Sequence, residues 1–111
     1  AEDKGNEAYD AALRALATTR HGKDLILDLG AGTGLLAMLA CRALPEGRAV
    51  ACEVYDACAE LACEVVAENG FAERINVVSK VASDLEVGVD LPSHADICIF
   101  ELFDSQLLGE R

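Results

Sequence analysis

Leu25-Ile26-Leu27-Asp28-Leu29-Gly30-Ala31-Gly32-Thr33-Gly34 is the stretch on which the fold turns. A short apolar run leads straight into three glycines spaced two apart, and Leu35 then opens a Leu- and Ala-rich segment that closes at Pro45 and Gly47. The apolar run reads as a buried strand and the segment from Leu35 to Leu44 as a helix. Glycine takes the backbone of a tight turn and lets a ligand approach the chain closely. The free N–H groups of a helix starting near Gly34 point at that same space. A plain strand-to-helix turn needs one glycine; three argue for a bound ligand. The dinucleotide pattern Gly-x-Gly-x-x-Gly would put its third glycine at position 35, where Leu35 stands, which argues against a pyrophosphate cofactor.

Outward from this stretch the alternation continues. Ala49-Val50-Ala51-Cys52-Glu53-Val54 reads as a second strand, and Asp56 as the N-cap of a helix running to about Asn69 and ended by Gly70. Ile75 to Val78 and Asp96 to Phe100 supply a third and a fourth strand. Residues 80–94 contain Gly88 and Pro92 and read mostly as loop with one helical turn. Upstream, Ala8, Ala12, Leu13 and Leu16 fall at helical spacing between Asn6 and about Arg20, with Gly22 as a stop. Strands alternating with helices predict an α/β fold with a parallel sheet buried on both faces. Four strands are fewer than the six or so of a complete doubly wound sheet. The expected organisation is a helix in residues 1–24 lying over the ligand site, then a partial nucleotide-type domain in 25–111. An apolar fourth strand left as an edge is an aggregation liability, so the expectation is a chain inactive and poorly soluble alone, or half of a larger polypeptide.

The 111 residues carry 9 Lys or Arg against 20 Asp or Glu, a formal net charge of -11, with 52% hydrophobic residues. Such a chain buries a core. The acidity argues against direct nucleic-acid binding, which needs clustered cations, and suits a basic partner. No apolar run approaches the roughly 20 residues of a membrane span, and the opening residues carry no secretory signal pattern. Cys41, Cys52, Cys58, Cys63 and Cys98 form no Cys-x-x-Cys pair. They read as reduced, mostly buried thiols of an intracellular protein, with no metal site expected. His21 and His94 stand in polar contexts and read as solvated.

Two carboxylate motifs complete the chemistry. Glu53 stands at the carboxyl end of the second strand, 19 residues beyond Gly34, where an acid in nucleotide folds accepts ribose hydroxyls. Glu101-Leu102-Phe103-Asp104-Ser105-Gln106-Leu107-Leu108-Gly109-Glu110 follows the fourth strand, and its enclosed eight residues suffice for a hairpin-like loop that brings Glu101 and Glu110 together. Converging carboxylates can share a proton or grip a cation, and a planar guanidinium matches them best.

With these residues in hand, the chain resembles a known family. Leu27 to Gly34 looks like motif I of the class I S-adenosylmethionine-dependent methyltransferases, whose fold is Rossmann-like. Glu101 to Glu110 resembles the double-E loop of the protein arginine methyltransferases, and its wording, with Val66-Ala67-Glu68-Asn69-Gly70-Phe71, is nearest the monomethylating, type III branch. The resemblance implies that Gly30, Gly32 and the neighbouring backbone of Ala31, Gly34 and Leu35 hold the methionine end of S-adenosylmethionine, with Asp28 supporting the loop from beneath. It implies that Glu53, followed by Val54, binds the ribose hydroxyls and that Lys80-Val81-Ala82 borders the adenine. Ala82 replaces an acid often found there, so adenine recognition rests on backbone. Glu101 and Glu110 would fix the substrate guanidinium, with Glu101 also at the cofactor, and S-adenosylhomocysteine would be the product. In the segment from Glu2 to Tyr9, Asn6 and Tyr9 agree with the family, whereas the Arg that clamps the cofactor carboxylate is Gly5 here.

The implied partners are basic, Arg-containing proteins such as histones or Arg/Gly-rich tails, with a dimer or pseudo-dimer in the full-length protein and a cytoplasmic or nuclear location. A different class I methyltransferase acting on a small molecule would share the cofactor half and lack the double-E loop. An inactive cofactor-binding scaffold is favoured by Gly5, and an NAD-dependent dehydrogenase is disfavoured by Leu35.

Overall fold

The computed structural model describes residues 11–15, 17–18 and 22–100, with only the backbone at 100. Residues 11–15 and 17–18 are helical. There follow β1 (Leu25–Leu29), α1 (Leu35–Ala43), β2 (Arg48–Cys52), α2 (Asp56–Glu68), β3 (Ile75–Val78), one 3-10 turn (Ala82–Asp84) and β4 (Ile97–Phe100). The strands form one sheet in the order β3-β2-β1-β4, every pair parallel. The α/β reading of the sequence holds.

Register explains which residues reach the core. Ile26 pairs with Ala49 and Ile97, and Ala49 with Ile75; one pleat further, Asp28 pairs with Ala51 and Ile99, and Ala51 with Val77. Partners in register point to one face, because side chains alternate along a strand. That face carries the main core: Ile26, Ala49, Ala51, Ile75 and Ile99 pack with Leu13, with Leu36, Ala37, Met38, Ala40 and Cys41 of α1 and with Val66 of α2. Small residues meet across the helix–sheet contact, since Ala37, Ala40, Cys41 and Ala51 are all fully buried. Their size lets α1 lie low on β1 and β2, and its first turn stands directly behind the glycine loop.

The opposite face is less covered than the sequence implied. Leu25 and Val50 pack with Leu91, and with Leu27, Val78 and Leu85 at the margin, but Cys98 and Asn76 are exposed. Among the described residues no helix lies there, because the β3-to-β4 connection is a loop with Gly88 and Pro92 and a single 3-10 turn. Among the described residues, against the expected burial on both faces, one face is fully and the other partly covered. The expectation of mostly buried thiols falls with it. Cys41 and Cys52 are buried, whereas Cys58, Cys63 and Cys98 are exposed. In α2 the buried positions are Ala59, Ala62 and Val66, which leaves Cys58 and Cys63 off the apolar stripe.

Two side chains fix the frame at the amino-terminal edge of the sheet. Asp96 accepts the Leu25 N–H through Oδ2 at 2.8 Å and donates its own N–H to the Leu25 carbonyl at 2.8 Å, pinning the start of β4 to β1. Arg74, just before β3, donates Nη2 to the carbonyls of Cys41 at 2.6 Å, Leu44 at 2.8 Å and Gly47 at 3.0 Å. Its Nε also reaches Gly47 O at 3.1 Å, and the guanidinium sits 5.6 Å from the centre of the Phe71 ring. These carbonyls close the end of α1 and the turn into β2, where a helix leaves acceptors without intrahelical partners.

Candidate functional site

The chain moves outward from β1 to β2 to β3, then returns to the other side of β1 with β4. Ligands of open α/β sheets bind at the carboxyl ends of the strands where the order reverses in this way. The glycine loop emerges from β1 at that reversal point. Gly30 (φ 71), Gly32 (φ 60) and Gly34 (φ 87) all take the left-handed backbone that side chains disfavour. A Cβ at Gly30 or Gly32 would meet nothing within 4 Å, so the loop's outer side is open space. Gly34 differs: a Cβ there would lie 3.0 Å from Val66 Cγ2, so this glycine also permits close packing between the start of α1 and α2.

β2 ends at Cys52, two residues earlier than the sequence implied. The Cys52 carbonyl accepts both the Gly30 N–H at 2.8 Å and the Ala31 N–H at 3.0 Å, so the strand's last acceptor is spent on the loop. Its thiol, pushed up from the ordinary value by burial, donates to the Lys80 carbonyl at 2.8 Å. Glu53 then stands just beyond the strand, buried although charged. Its Oε1 accepts the Gly32 N–H at 2.9 Å and its Oε2 the Tyr55 N–H at 3.2 Å. Asp28 is fully buried on β1, one residue before the strand's end and beneath the loop.

Around these groups lies an apolar rim. Leu35, Val54 and Val81 are exposed large hydrophobics, as is Tyr55 at 70%. Val81 and Ala82 begin the 3-10 turn, whose segment is held by Lys80 and Asp90: Nζ and Oδ2 lie 2.9 Å apart, and Oδ2 also accepts the Glu86 N–H at 3.0 Å. The hydrogen bond to Asp90 raises the Lys80 ammonium above its ordinary value, and the same bond lowers the Asp90 carboxyl. The structure thus gathers Asp28, Gly30, Ala31, Gly32, Gly34, Glu53 and Val54 at one edge of the sheet. Glu101, Glu110, Gly5, Asn6, Tyr9 and His21 lie outside the described residues; β4 pairs Phe100 with Leu29, so the chain reaches this edge immediately before Glu101.

The sequence reading missed Tyr55 and Cys52. Asp56 was expected to cap α2, but the cap residue is Tyr55, with extended backbone, and Asp56 is the first helical residue. The Asp56 carboxylate instead accepts the Ser79 hydroxyl at 2.5 Å. An aromatic two positions after a strand-end carboxylate was the available signal for Tyr55. Cys52 acts through its carbonyl, which no side-chain pattern reveals.

The arrangement fits an adenosyl sulfonium cofactor: an open glycine loop backed by a helix start, a buried carboxylate for a ribose and apolar side chains for a flat base. No family model matches the chain. The chain is 41% identical over 108 residues to protein arginine N-methyltransferase 7 of Drosophila grimshawi, covering 95% of this chain and 15% of that protein. The mouse protein of the same name is 42% identical over 110 residues, covering 95% and 16%. The Trypanosoma brucei PRMT1 enzyme–prozyme heterotetrameric complex with AdoHcy superimposes with a TM-score of 0.73 at 26% identity, covering 86% of this chain and 28% of that chain. Over nearly its whole length the chain is therefore similar to arginine methyltransferases, and its fold is the Rossmann-like methyltransferase fold in its first four strands. It spans about 15% of the length of the curated relatives it matches.

Proposed function

We propose that this chain is the S-adenosylmethionine-binding part of a protein arginine N-methyltransferase. The observation that carries the reading is the meeting of the three-glycine loop with the buried Glu53 carboxylate at the reversal point of the sheet. Gly30, Ala31, Gly32, Gly34 and Leu35 hold the methionine end and Glu53 the ribose, with Val54, Val81 and Ala82 along the base. Asp28 supports the loop from below, and residues 1–24 close over the cofactor. The cofactor, when bound, supplies an electrophilic methyl group.

Everything else falls to side chains. An arginine stays protonated, with its lone pairs delocalised, so the attacking nitrogen needs help. Glu101 and Glu110 grip the far side of the guanidinium, orienting one nitrogen toward the methyl. Their charge draws the positive charge onto the nitrogens they touch and leaves the attacking one more nucleophilic. The product is monomethylarginine, and the substrates are basic proteins such as histones or Arg/Gly-rich tails, steered by the chain's acidity. The full-length protein works as a dimer or pseudo-dimer in the cytoplasm or nucleus; free cysteines fit such a reducing compartment. The test is methyl transfer by the full-length polypeptide to an Arg-containing basic peptide, read by mass spectrometry. Glu101→Gln lowers turnover by roughly 100-fold or more while S-adenosylhomocysteine still binds. Near-normal turnover in that variant, or product on a residue other than arginine, refutes the reading.

A further inference from the structure

Glu53 makes contacts that ribose binding alone does not require. A carboxylate offers about four lone-pair positions. Two are taken here by backbone N–H groups, Gly32 at 2.9 Å and Tyr55 at 3.2 Å, which leaves two, the number that a ribose diol uses. The two donors belong to different elements, the loop between β1 and α1 and the cap residue of α2. Nothing packs within 4 Å of where a Gly32 Cβ would stand, so the apex of the loop has no side-chain contact there to hold its shape. On either side, Ala31 N–H is fixed by the Cys52 carbonyl and Gly34 N–H by the Ala31 carbonyl. The Gly32 N–H is fixed by Glu53.

We propose that Glu53 is a positioning residue for the methionine end of the cofactor as well as its ribose ligand. Its carboxylate sets the glycine loop in binding shape before the cofactor arrives, so that ribose recognition and loop geometry are one unit. The inference rests on the cofactor reading above. Gln is the informative replacement, because an amide has one acceptor oxygen and turns an N–H group toward one of the two backbone donors.

The experiment is a two-by-two comparison in the full-length polypeptide: wild type and Glu53→Gln, each titrated with S-adenosylhomocysteine and with its 2′,3′-dideoxy analogue. The analogue has no hydroxyls for Glu53 to touch. It is expected to bind Glu53→Gln roughly tenfold or more weakly than wild type, the size of one lost charge-assisted hydrogen bond. Equal affinity of the analogue for the two proteins overturns the proposal and leaves Glu53 a ribose ligand only. A second measurement needs no variant. In the unliganded wild type the Gly32 amide exchanges with solvent more slowly than the Thr33 amide, relative to their intrinsic rates; equal exchange overturns the pre-set loop. Failure of S-adenosylhomocysteine to bind the wild type sinks the cofactor reading, and amide exchange still decides whether Glu53 holds the loop.

Discussion

Replacing Gly34 by alanine separates two costs that coincide at one residue. The backbone stands at φ 87, where an L side chain costs about 1–2 kcal/mol. The new methyl would also lie 3.0 Å from Val66 Cγ2, inside normal contact distance. Crowding in a packed region adds roughly 1–3 kcal/mol. The sum, about 2–5 kcal/mol, is a large part of the 5–15 kcal/mol that stabilises an ordinary domain. Gly30→Ala and Gly32→Ala carry the backbone cost alone, since a methyl at either meets nothing within 4 Å. Denaturant midpoints of the three variants, measured in the full-length polypeptide, are therefore expected to fall furthest for Gly34→Ala. A double-mutant cycle with Val66→Ala isolates the contact, because removing Cγ2 removes the crowding and leaves the backbone cost in place. Coupling of about 1 kcal/mol or more is expected. If Gly34→Ala costs no more than Gly30→Ala, or the coupling is nil, the close approach of α1 and α2 is not what requires this glycine.

Arg74→Ala strips donors from the carbonyls of Cys41, Leu44 and Gly47 and is expected to destabilise the fold by about 2–4 kcal/mol. Arg74→Lys recovers less than half of the lost midpoint, because an ammonium lacks the planar fork; full recovery would show that charge alone suffices. Alkaline conditions act on the buried thiols. Burial raises Cys41 and Cys52 above the ordinary 9.0, so as pH climbs past that value the unfolded chain gives up these protons first. The stability they contribute is whole below the ordinary value and is lost as pH rises through the raised folded values. Melting temperature is expected to fall as pH rises past the ordinary 9.0, and Cys52→Ala to flatten the fall; an unchanged slope in that variant refutes the assignment.

The parts of this fold legible in the sequence are those written in side-chain pattern. β1, β3 and the loop's three glycines emerge where expected because apolar runs and glycine spacing dictate them locally. The end of β2 and the cap of α2 were misplaced by one or two residues, since both are decided by tertiary bonds: Cys52 O turned toward the loop, Glu53 onto Tyr55 N–H, Asp56 onto Ser79. Exposure of Cys58, Cys63 and Cys98 was misjudged for a related reason. Cys98 faces the side of the sheet that lacks a covering helix among the described residues, whereas Cys58 and Cys63 lie on α2 off its buried stripe of Ala59, Ala62 and Val66. Arg74 was invisible as a structural residue, because nothing in its neighbourhood announces that it closes a helix 30 residues earlier. At the site, the sequence offers the glycines and Glu53 as candidates by their position after the first two strands, and Asp28 by family resemblance. The second duty of Glu53 stays hidden, since a hydrogen bond across 21 residues is a property of the folded chain.

The Arg74 fork also has an electrical consequence at the far end of α1. A helix carries about half a positive charge at its first turn and half a negative charge at its last. The guanidinium lies against the last carbonyls and cancels the negative pole, while Gly34 leaves the positive pole without a side-chain cap. In a chain of formal net charge -11, α1 is thus a rod whose uncompensated end is the positive one, at the edge of the sheet where the glycine loop emerges.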